Sequence, residues 1–352
     1  MPPGVDAPRP IRAPDLHAFG NDAAHIAMTV SCTDSDQLPR VHDAGDFTTV
    51  GGRDVQVMHN GVLVERDAYV GTWMTEIIRC LRGFHEPQEE LVFARTLERL
   101  ATTDESPTMI ELGSWWAYYS LWFRRVFPRS RIVAVEPDTE HLAITERHFA
   151  LNHETADFVH GGIASGNEQT FSMEYESDSE VHDVPRYTLG ELLSAQQLDR
   201  VSVVLADIQG AETALVEDAM DLLSGGAVRF LFISTHHFTI SRDALTHQRV
   251  LKAVRSAGGH VIAEHSVGES FSGDGLVAVS FDPKDTDFTV DITRARQRDS
   301  QFGELEVPLA KAFARVVAAE EKAATVTRWN LNLVRRITEL EALLDEETHP
   351  GE

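Results

Sequence analysis

From about residue 107 onward, short apolar runs alternate with stretches whose apolar residues recur at every third or fourth position. The runs Met109–Leu112, Arg131–Val135, Phe158–Ile163, Val201–Ala206, Val228–Ile233, His260–His265 and Leu276–Phe281 read as strands. The spacing between them predicts helices at Tyr118–Phe127, Thr139–Asn152, Leu189–Ala195, Glu212–Leu223 and Arg242–Ser256. Strands separated by helices of this length imply βαβ units and a largely parallel sheet. The last two strands are close together, which suits an antiparallel pair at one edge. The expected fold is therefore α/β and Rossmann-like: a seven-stranded, mostly parallel sheet with helices on both faces. Residues 164–185 form an acidic insertion after the third strand, with room for an extra hairpin.

The flanks follow other rhythms. DVQVMHNGVLVERD alternates apolar and polar residues on either side of Asn60-Gly61, the strongest short-range hairpin signal. Met74, Ile77, Ile78 and Leu81 then share one face of a predicted helix, Thr72–Arg82. A second helix is predicted over Glu89–Ala101, with Pro87 placed where a first turn tolerates it. Residues 1–50 show little periodicity and are expected to form a loosely ordered arm that folds over the body. At the other end Leu309, Ala312, Val316, Ala319, Ala323, Val326, Asn330, Leu333, Ile337, Leu340 and Leu344 recur in steps of three and four. That is a heptad seam with a polar core position at Asn330, and it leaves open a coiled-coil homodimer or a helix packed on its own domain. The divisions expected are an arm (1–50), a hairpin and helical cap (51–106), the α/β core (107–290) and a helical extension (291–352).

Composition narrows the partners. A formal net charge of −25, without any long run of Lys or Arg, argues against nucleic acid. No apolar run approaches the roughly 20 residues that span a bilayer, so no membrane partner is expected. The opening MPPGVDAPRPIRAPDLHAFG lacks the apolar core of a secretory leader. With only Cys32 and Cys80, a disulfide framework is not the stabilising device, and a reducing, cytoplasmic setting is the simpler expectation.

The chemistry concentrates in MIELGSWWAYYSLWF and the following RIVAVEPD. A strand ends at Glu111-Leu112-Gly113, and a helix begins near Tyr118. Glycine at 113 lets backbone approach a ligand, and the helix start offers free N–H groups. The next strand ends in Glu136, an acid placed to accept ribose hydroxyls of a nucleoside cofactor. The turn is E-x-G-x-x-x-A and lacks the further glycines of a dinucleotide site. Trp115 and Trp116 crowd the space a pyrophosphate would need. Such a turn suits S-adenosylmethionine, which carries no phosphate, and Glu111 can balance its positive charge.

These segments, with YTLGELL and LADIQGAE further on, resemble the FkbM family of methyltransferases over roughly residues 105–240. The resemblance implies a class I methyltransferase fold, S-adenosylmethionine as cofactor and O-methylation of hydroxyls on sugars or natural products. Glu111 and Gly113 match the family's acid and first glycine, Tyr119 and Ser120 its Y-S, and Glu136-Pro137 its acidic motif. Asp207, Gly210 and Glu212 match its D-x-E-G-x-E. Ser114 in the turn and Gly162 at the third strand's end complete the expected cofactor contacts. The chain departs at Ala117, where a second glycine is usual and a tighter approach to the cofactor is implied. It departs also at Gln209, usually Glu, and at Leu205, often basic.

Ligands of open α/β sheets sit at the carboxyl ends of the strands. Asp207 ends the fourth strand and Ser234-Thr235-His236-His237 the fifth, so both should face one cavity. A hydroxylated small-molecule acceptor needs a base, and His237 or His236 is expected to supply it, since adjacent strand residues point to opposite sides. A competing expectation is a divalent ion on Asp207, His236 and His237, of a kind suited to mixed imidazole and carboxylate ligands. His85, Glu86 and Gln88 lie on a loop expected to close over cofactor or substrate, whereas Glu89 and Glu90 read as a solvated helix start. Trp115 and Trp116 are candidate walls of the acceptor pocket. Two rivals stand beside the methyltransferase: a nicotinamide-dependent oxidoreductase on the same core, and a non-catalytic S-adenosylmethionine-binding module that assembles through its last helix.

Overall fold

The computed structural model describes residues 12–14, 16–104, 106–296 and 306–348. They belong to two units: the body, which ends before residue 305, and a helical unit that follows.

The body begins with short 3-10 turns and helix α1 (Ala23–Val30). Ile26, Val30, Cys32 and Leu38 are all buried, so residues 16–50 are not the loose arm that their polar composition suggests. A few apolar side chains suffice here because α1 lies against a second amphipathic helix. Residues 1–11 of that expected arm lie outside the described residues. Three antiparallel strands follow: β1 (Phe47–Val50), β2 (Arg53–Val57) and β3 (Leu63–Glu65). The Asn60-Gly61 turn joins β2 and β3 as its signal predicts. Gly61 adopts φ +80°, and Asn60 Oδ1 accepts the Val62 N–H at 3.1 Å. Strand β1 carries no buried residue and gave no apolar signal. Helices α2 (Thr72–Cys80) and α3 (Pro87–Ala101) complete this region, with Pro87 itself opening α3.

The core then runs β4 (Thr108–Leu112), α4 (Tyr118–Val126), β5 (Arg131–Glu136), α5 (Thr139–Leu151) and β6 (Asp157–His160). At Gly161 the chain leaves this sheet, so the single expected strand 158–163 divides. The remainder forms β7 (Gly162–Ile163), which joins the insertion hairpin β8 (Thr170–Glu174) and β9 (Val181–Tyr187) in a small sheet. Next come α6 (Leu189–Ala195), β10 (Val201–Ala206), α7 (Glu212–Asp218), α8 (Met220–Ser224) and β11 (Val228–Thr235). The body ends with α9 (Phe238–Ser241), α10 (Thr246–Ser256), β12 (His260–His265) and β13 (Gly275–Ser280).

The main sheet has seven strands in the order β12-β13-β11-β10-β4-β5-β6, and β13 is antiparallel to both its neighbours. This is the class I methyltransferase arrangement. Alternation along the strands feeds two cores. Met109, Val203, Leu205, Phe230 and Phe232 pack on one face of the sheet. Ile110, Leu112, Val204, Ala206, Leu231 and Ile233 pack on the other. The strand order reverses between β4 and β10, and it is there that a doubly wound sheet opens a crevice. Both thiols are free and buried. No helix among the described residues is long and apolar enough to cross a membrane.

The second unit is one helix, α11 (Glu306–Thr348). It covers the expected seam, of which the side chains of Leu309 and Leu344 fall outside the described residues.

Candidate active site

A cavity of about 730 Å³ opens at this crevice, lined by the ends of β4, β5, β10 and β11 and by side chains of α1, α3 and the loop before α2. Its floor is tied by backbone. Gly113 and Ser114 both donate to the Val135 carbonyl, and the Asp207 N–H donates to the Leu112 carbonyl at 3.0 Å. Gly113 (φ +76°) lies so close to the next turn that a Cβ there would stand 1.9 Å from the Asp207 carbonyl oxygen. Glycine is thus needed at 113 first to let the two turns meet. Ala117 also adopts a left-handed conformation, φ +55°, which glycine would take without strain. Its methyl is buried in the apolar core and does not face the cavity, so the tighter cofactor approach inferred from the sequence does not arise.

Two buried acids face the cofactor half. Glu111 accepts the Ser120 N–H at 3.0 Å, and Glu136 accepts the N–H groups of Trp115 at 2.9 Å and Asp138 at 3.0 Å. Burial pushes each carboxyl up to about 8. The Trp115 ring stacks on His141 at 3.8 Å, and Trp116 stacks on Tyr69 at 4.4 Å. Pro137, Gly162 and Tyr119 also line the cavity as expected. Ser114 and Ser120 do not. The Ser114 hydroxyl pairs with Thr145 on α5, and Ser120 acts through its backbone, which holds Glu111 in place.

The acceptor half is assembled from remote segments. His85 lies between Glu90, at 3.0 Å from Nδ1, and Glu86, at 3.3 Å from Nε2. Burial opposes charge on this ring, but the two carboxylates prevail and push it up to about 10. Glu90, expected to be solvated, is fully buried and also accepts the backbone N–H groups of His85 and Glu86. Glu89 is buried too, and it lines the cavity with one oxygen held by the Ser234 hydroxyl. Gln88 lies elsewhere: it bonds the backbone of Glu269, Phe271 and Thr293, which anchors α3 to the loops beyond β12.

Of the adjacent histidines, His236 faces the cavity. Its Nε2 lies 3.0 Å from Asp207 and its Nδ1 contacts the buried Glu212. Despite burial, Asp274, Asp207 and Glu212 hold this imidazole charged, well above its ordinary range. A ring with both nitrogens engaged and already protonated cannot accept a proton, which corrects the expected role of His236 as base. His237 turns the other way and caps α9 through Thr239. It does not line the cavity, and burial pushes it down to about 4. Asp207, His236 and His237 therefore do not converge as the proposed metal ligands. Among the described residues no group of three His, Cys, Asp or Glu side chains forms a metal site.

Sequence reasoning missed His25 and Thr29 on α1, Tyr69 and Trp73 before and within α2, and Asp274 before β13, all of which reach the cavity. None sits in a motif, and only the GESFSGDG loop around Asp274 offered a local cue, its glycines and serines.

The lining suits S-adenosylmethionine. Glu111 and Glu136 stand at the ends of neighbouring strands, no Lys or Arg among the described residues lines the cavity, and the carboxylates favour a cofactor that carries positive charge. When bound, this cofactor supplies an electrophilic methyl group on a sulfonium. Glu136 would hold its ribose and Glu111 would face its charged end.

Residues 99–261 match the family model described as the methyltransferase FkbM domain. No curated protein sequence matches the chain. Among solved structures, the METTL16 MTase domain is similar over 56% of this chain and 68% of its own, at 12% identity and TM-score 0.39. A precorrin-6y C5,15-methyltransferase from Geobacter metallireducens GS-15 is similar over 54% of this chain and 87% of its own, at 14% identity and TM-score 0.34. For a ribosomal protein L11 methylase from Lactobacillus delbrueckii subsp. bulgaricus the shares are 56% and 80%, at 13% identity and TM-score 0.32. The family match and the sheet order leave no place for the nicotinamide alternative. The chain is an S-adenosylmethionine-dependent methyltransferase whose residues 99–261 match the FkbM domain.

Proposed function

We propose that the enzyme methylates a hydroxyl oxygen of a small molecule, with Asp207 as the proton acceptor. The observation that carries this reading is the Glu212–His236–Asp207 array at the crevice. The buried Glu212 fixes the imidazolium, and the imidazolium holds Asp207 at 3.0 Å where its carboxylate faces the cavity. S-adenosylmethionine, when bound, would supply the methyl group to the hydroxyl oxygen and leave as its neutral thioether, and Asp207 would take the hydroxyl proton on the carboxylate oxygen that does not contact His236. His236 is a positioning residue in this scheme. It aligns the carboxylate through a charge-assisted contact. A cavity of about 730 Å³ that no Lys or Arg among the described residues lines favours a small acceptor over a phosphodiester chain.

The test uses the full chain with methyl-labelled cofactor and a panel of hydroxylated metabolites, the products being located by mass and NMR. Asp207→Asn should lower kcat by about a hundredfold or more, in the range of lost general-base catalysis, with little change in cofactor affinity. His236→Gln should lower kcat less and displace the acidic limb of the pH profile. Methyl groups found on nitrogen or carbon, or full turnover by Asp207→Asn, would overturn the assignment.

A further inference from the structure

Among the described residues eight carboxylate side chains line the cavity, and no Lys or Arg does. The cofactor half uses Glu111 and Glu136, so the question is what the acceptor half is charged for. Two cations are already in place there, and both are committed. His85 is shared between Glu86 and Glu90, and His236 between Asp207 and Glu212. Neither neutralises Glu89. That side chain is only 6% exposed. Its Oε2 accepts the Ser234 hydroxyl at 3.0 Å, while its Oε1 has no hydrogen-bond partner among the described residues. A buried acceptor without a partner is costly unless something else supplies one. The walls beside it are aromatic: Tyr69 and Trp116 are stacked, and Tyr119 touches Glu86 through its hydroxyl. Such faces attract a cation as well.

We propose that the acceptor carries a protonated amine that seats on Glu89 and Glu86, in addition to the hydroxyl presented to Asp207. The reading rests on the O-methylation proposed above. A protonated amine has no lone pair and is not methylated; it orients the molecule so that its hydroxyl meets the proton acceptor. The substrate class is thus a small amino alcohol or amino sugar, and acidic or phosphorylated acceptors are excluded by the carboxylates.

The test is binding, so it does not depend on turnover. The full chain, saturated with S-adenosylhomocysteine, is titrated by calorimetry with 2-amino-1-phenylethanol and with the matched neutral diol, 1-phenylethane-1,2-diol. The amine should bind about tenfold or more tightly than the diol, the scale of one charge-assisted contact. Glu89→Gln should erase that preference and leave the diol nearly unaffected, and Glu86→Gln should reduce it. An amine that binds no better than the diol, or not at all, overturns the proposal, as does a preference that survives in both variants. Methylation found on nitrogen would instead defeat the O-methylation reading while leaving the binding preference intact, which keeps the two failures apart.

A second inference rests on α11 alone. We infer that this helix pairs in parallel and in register with a second copy of itself. With Asn330 at an a position, Val316, Ile337, Val326, Leu333 and Leu340 fill a and d, and all five are exposed on the helix. The flanking positions include one pair of opposite charge. Arg315, Lys322 and Arg336 fall at g, and Glu320 falls at e. In a parallel pair g meets the e position five residues on in the other copy, which sets Arg315 against Glu320 and Trp329 against Val334. An antiparallel pair sets g against g, basic against basic. Light scattering of the full chain should give twice 39.1 kDa. Asn330→Cys should cross-link to a covalent dimer on oxidation, Arg315→Glu should weaken the dimer, and adding Glu320→Arg should restore it. A monomer, or a dimer that Asn330→Cys does not cross-link, refutes the arrangement.

Discussion

Cofactor affinity should depend on pH through Glu136. Burial moves its carboxyl from 4.5 to about 8, with Asp138 and Asp207 adding to the effect, so the empty protein holds a proton there at neutral pH. That displacement corresponds to about 5 kcal/mol between the two protonation states. A ribose whose hydroxyls donate to this group needs the carboxylate, so binding expels the proton. The sign follows: affinity rises as pH rises toward about 8 and is flat above it, by about tenfold per pH unit on the acidic side. Between roughly pH 6 and pH 8 the Kd of S-adenosylhomocysteine should fall on the order of a hundredfold. Calorimetry in two buffers of different ionisation enthalpy would count the released proton directly. Glu136→Gln should reduce the slope and weaken binding above pH 8 by ~10–100-fold, the scale of a lost hydrogen bond to a charged group. Glu111, also pushed up to about 8, faces the same cavity and would steepen the slope. A wild-type Kd that does not change with pH, or a slope that persists when Glu136 and Glu111 are both Gln, refutes the reasoning. The same shift has a consequence for the empty fold, whose stability should decline as pH rises from about 4.5 through about 8.

Three further outcomes are expected, each read by chemical denaturation of the full chain. Gly113→Ala, whose Cβ would stand 1.9 Å from the Asp207 carbonyl oxygen, should lose more than the ~1–3 kcal/mol of a strained backbone; a loss under about 0.5 kcal/mol would contradict the close contact. His85→Gln should cost about 3–5 kcal/mol near pH 6, because it leaves Glu90 buried without its cation. Since the His85 pKa is raised from 6.5 to about 10, that cost should be complete below about pH 6.5 and shrink as pH climbs through about 10; an unchanging difference would show the ring to be neutral. Ala117→Gly should be nearly neutral, within about 1 kcal/mol, as relief of the left-handed backbone offsets the lost buried methyl.

What the sequence discloses here depends on how local the cause is. The sheet strands and the helices α4, α5 and α6 follow from periodicity, and their ends shift by a residue or two. Breaks within elements escape it. The strand at 158–163 divides at Gly161, and the helix at 212–223 divides at Ala219, where tertiary packing overrides a continuous pattern. Glu111, Gly113, Glu136 and Asp207 were legible because each ends a strand or sits one step beyond it. Orientation was not. Whether His236 or His237 faces inward depends on how β11 gives way to α9, and the N-cap role of His237 settles it. The reading of Glu89 and Glu90 failed for a related reason. An acid in a first helical turn is usually solvated, but here α3 is covered from residues about 150 and 180 positions away, by Ser234 and the loop after β12. Helix α1 reaches the cavity by a comparable detour, as Thr29 bonds the Phe271 carbonyl across the chain.

These long-range contacts share an electrostatic logic. Carboxylates from six segments meet in one cavity, where two like charges 4 Å apart repel by about 4 kcal/mol at an effective dielectric of 20. The empty protein limits that cost with two imidazolium ions, each divided between two acids, and by raised carboxyl pKa values at several of the others. Burial pushes Asp274 up to about 7, and burial with the nearby Glu86 and Asp207 raises Glu89 well above the ordinary range. Protons are replaceable where Arg and Lys side chains would not be. A cationic cofactor can displace the protons of Glu111 and Glu136, and a cationic acceptor that of Glu89, without dismantling any ion pair of the fold. A cavity lined with fixed arginines would have balanced the charge as well, but it would have closed the site to both.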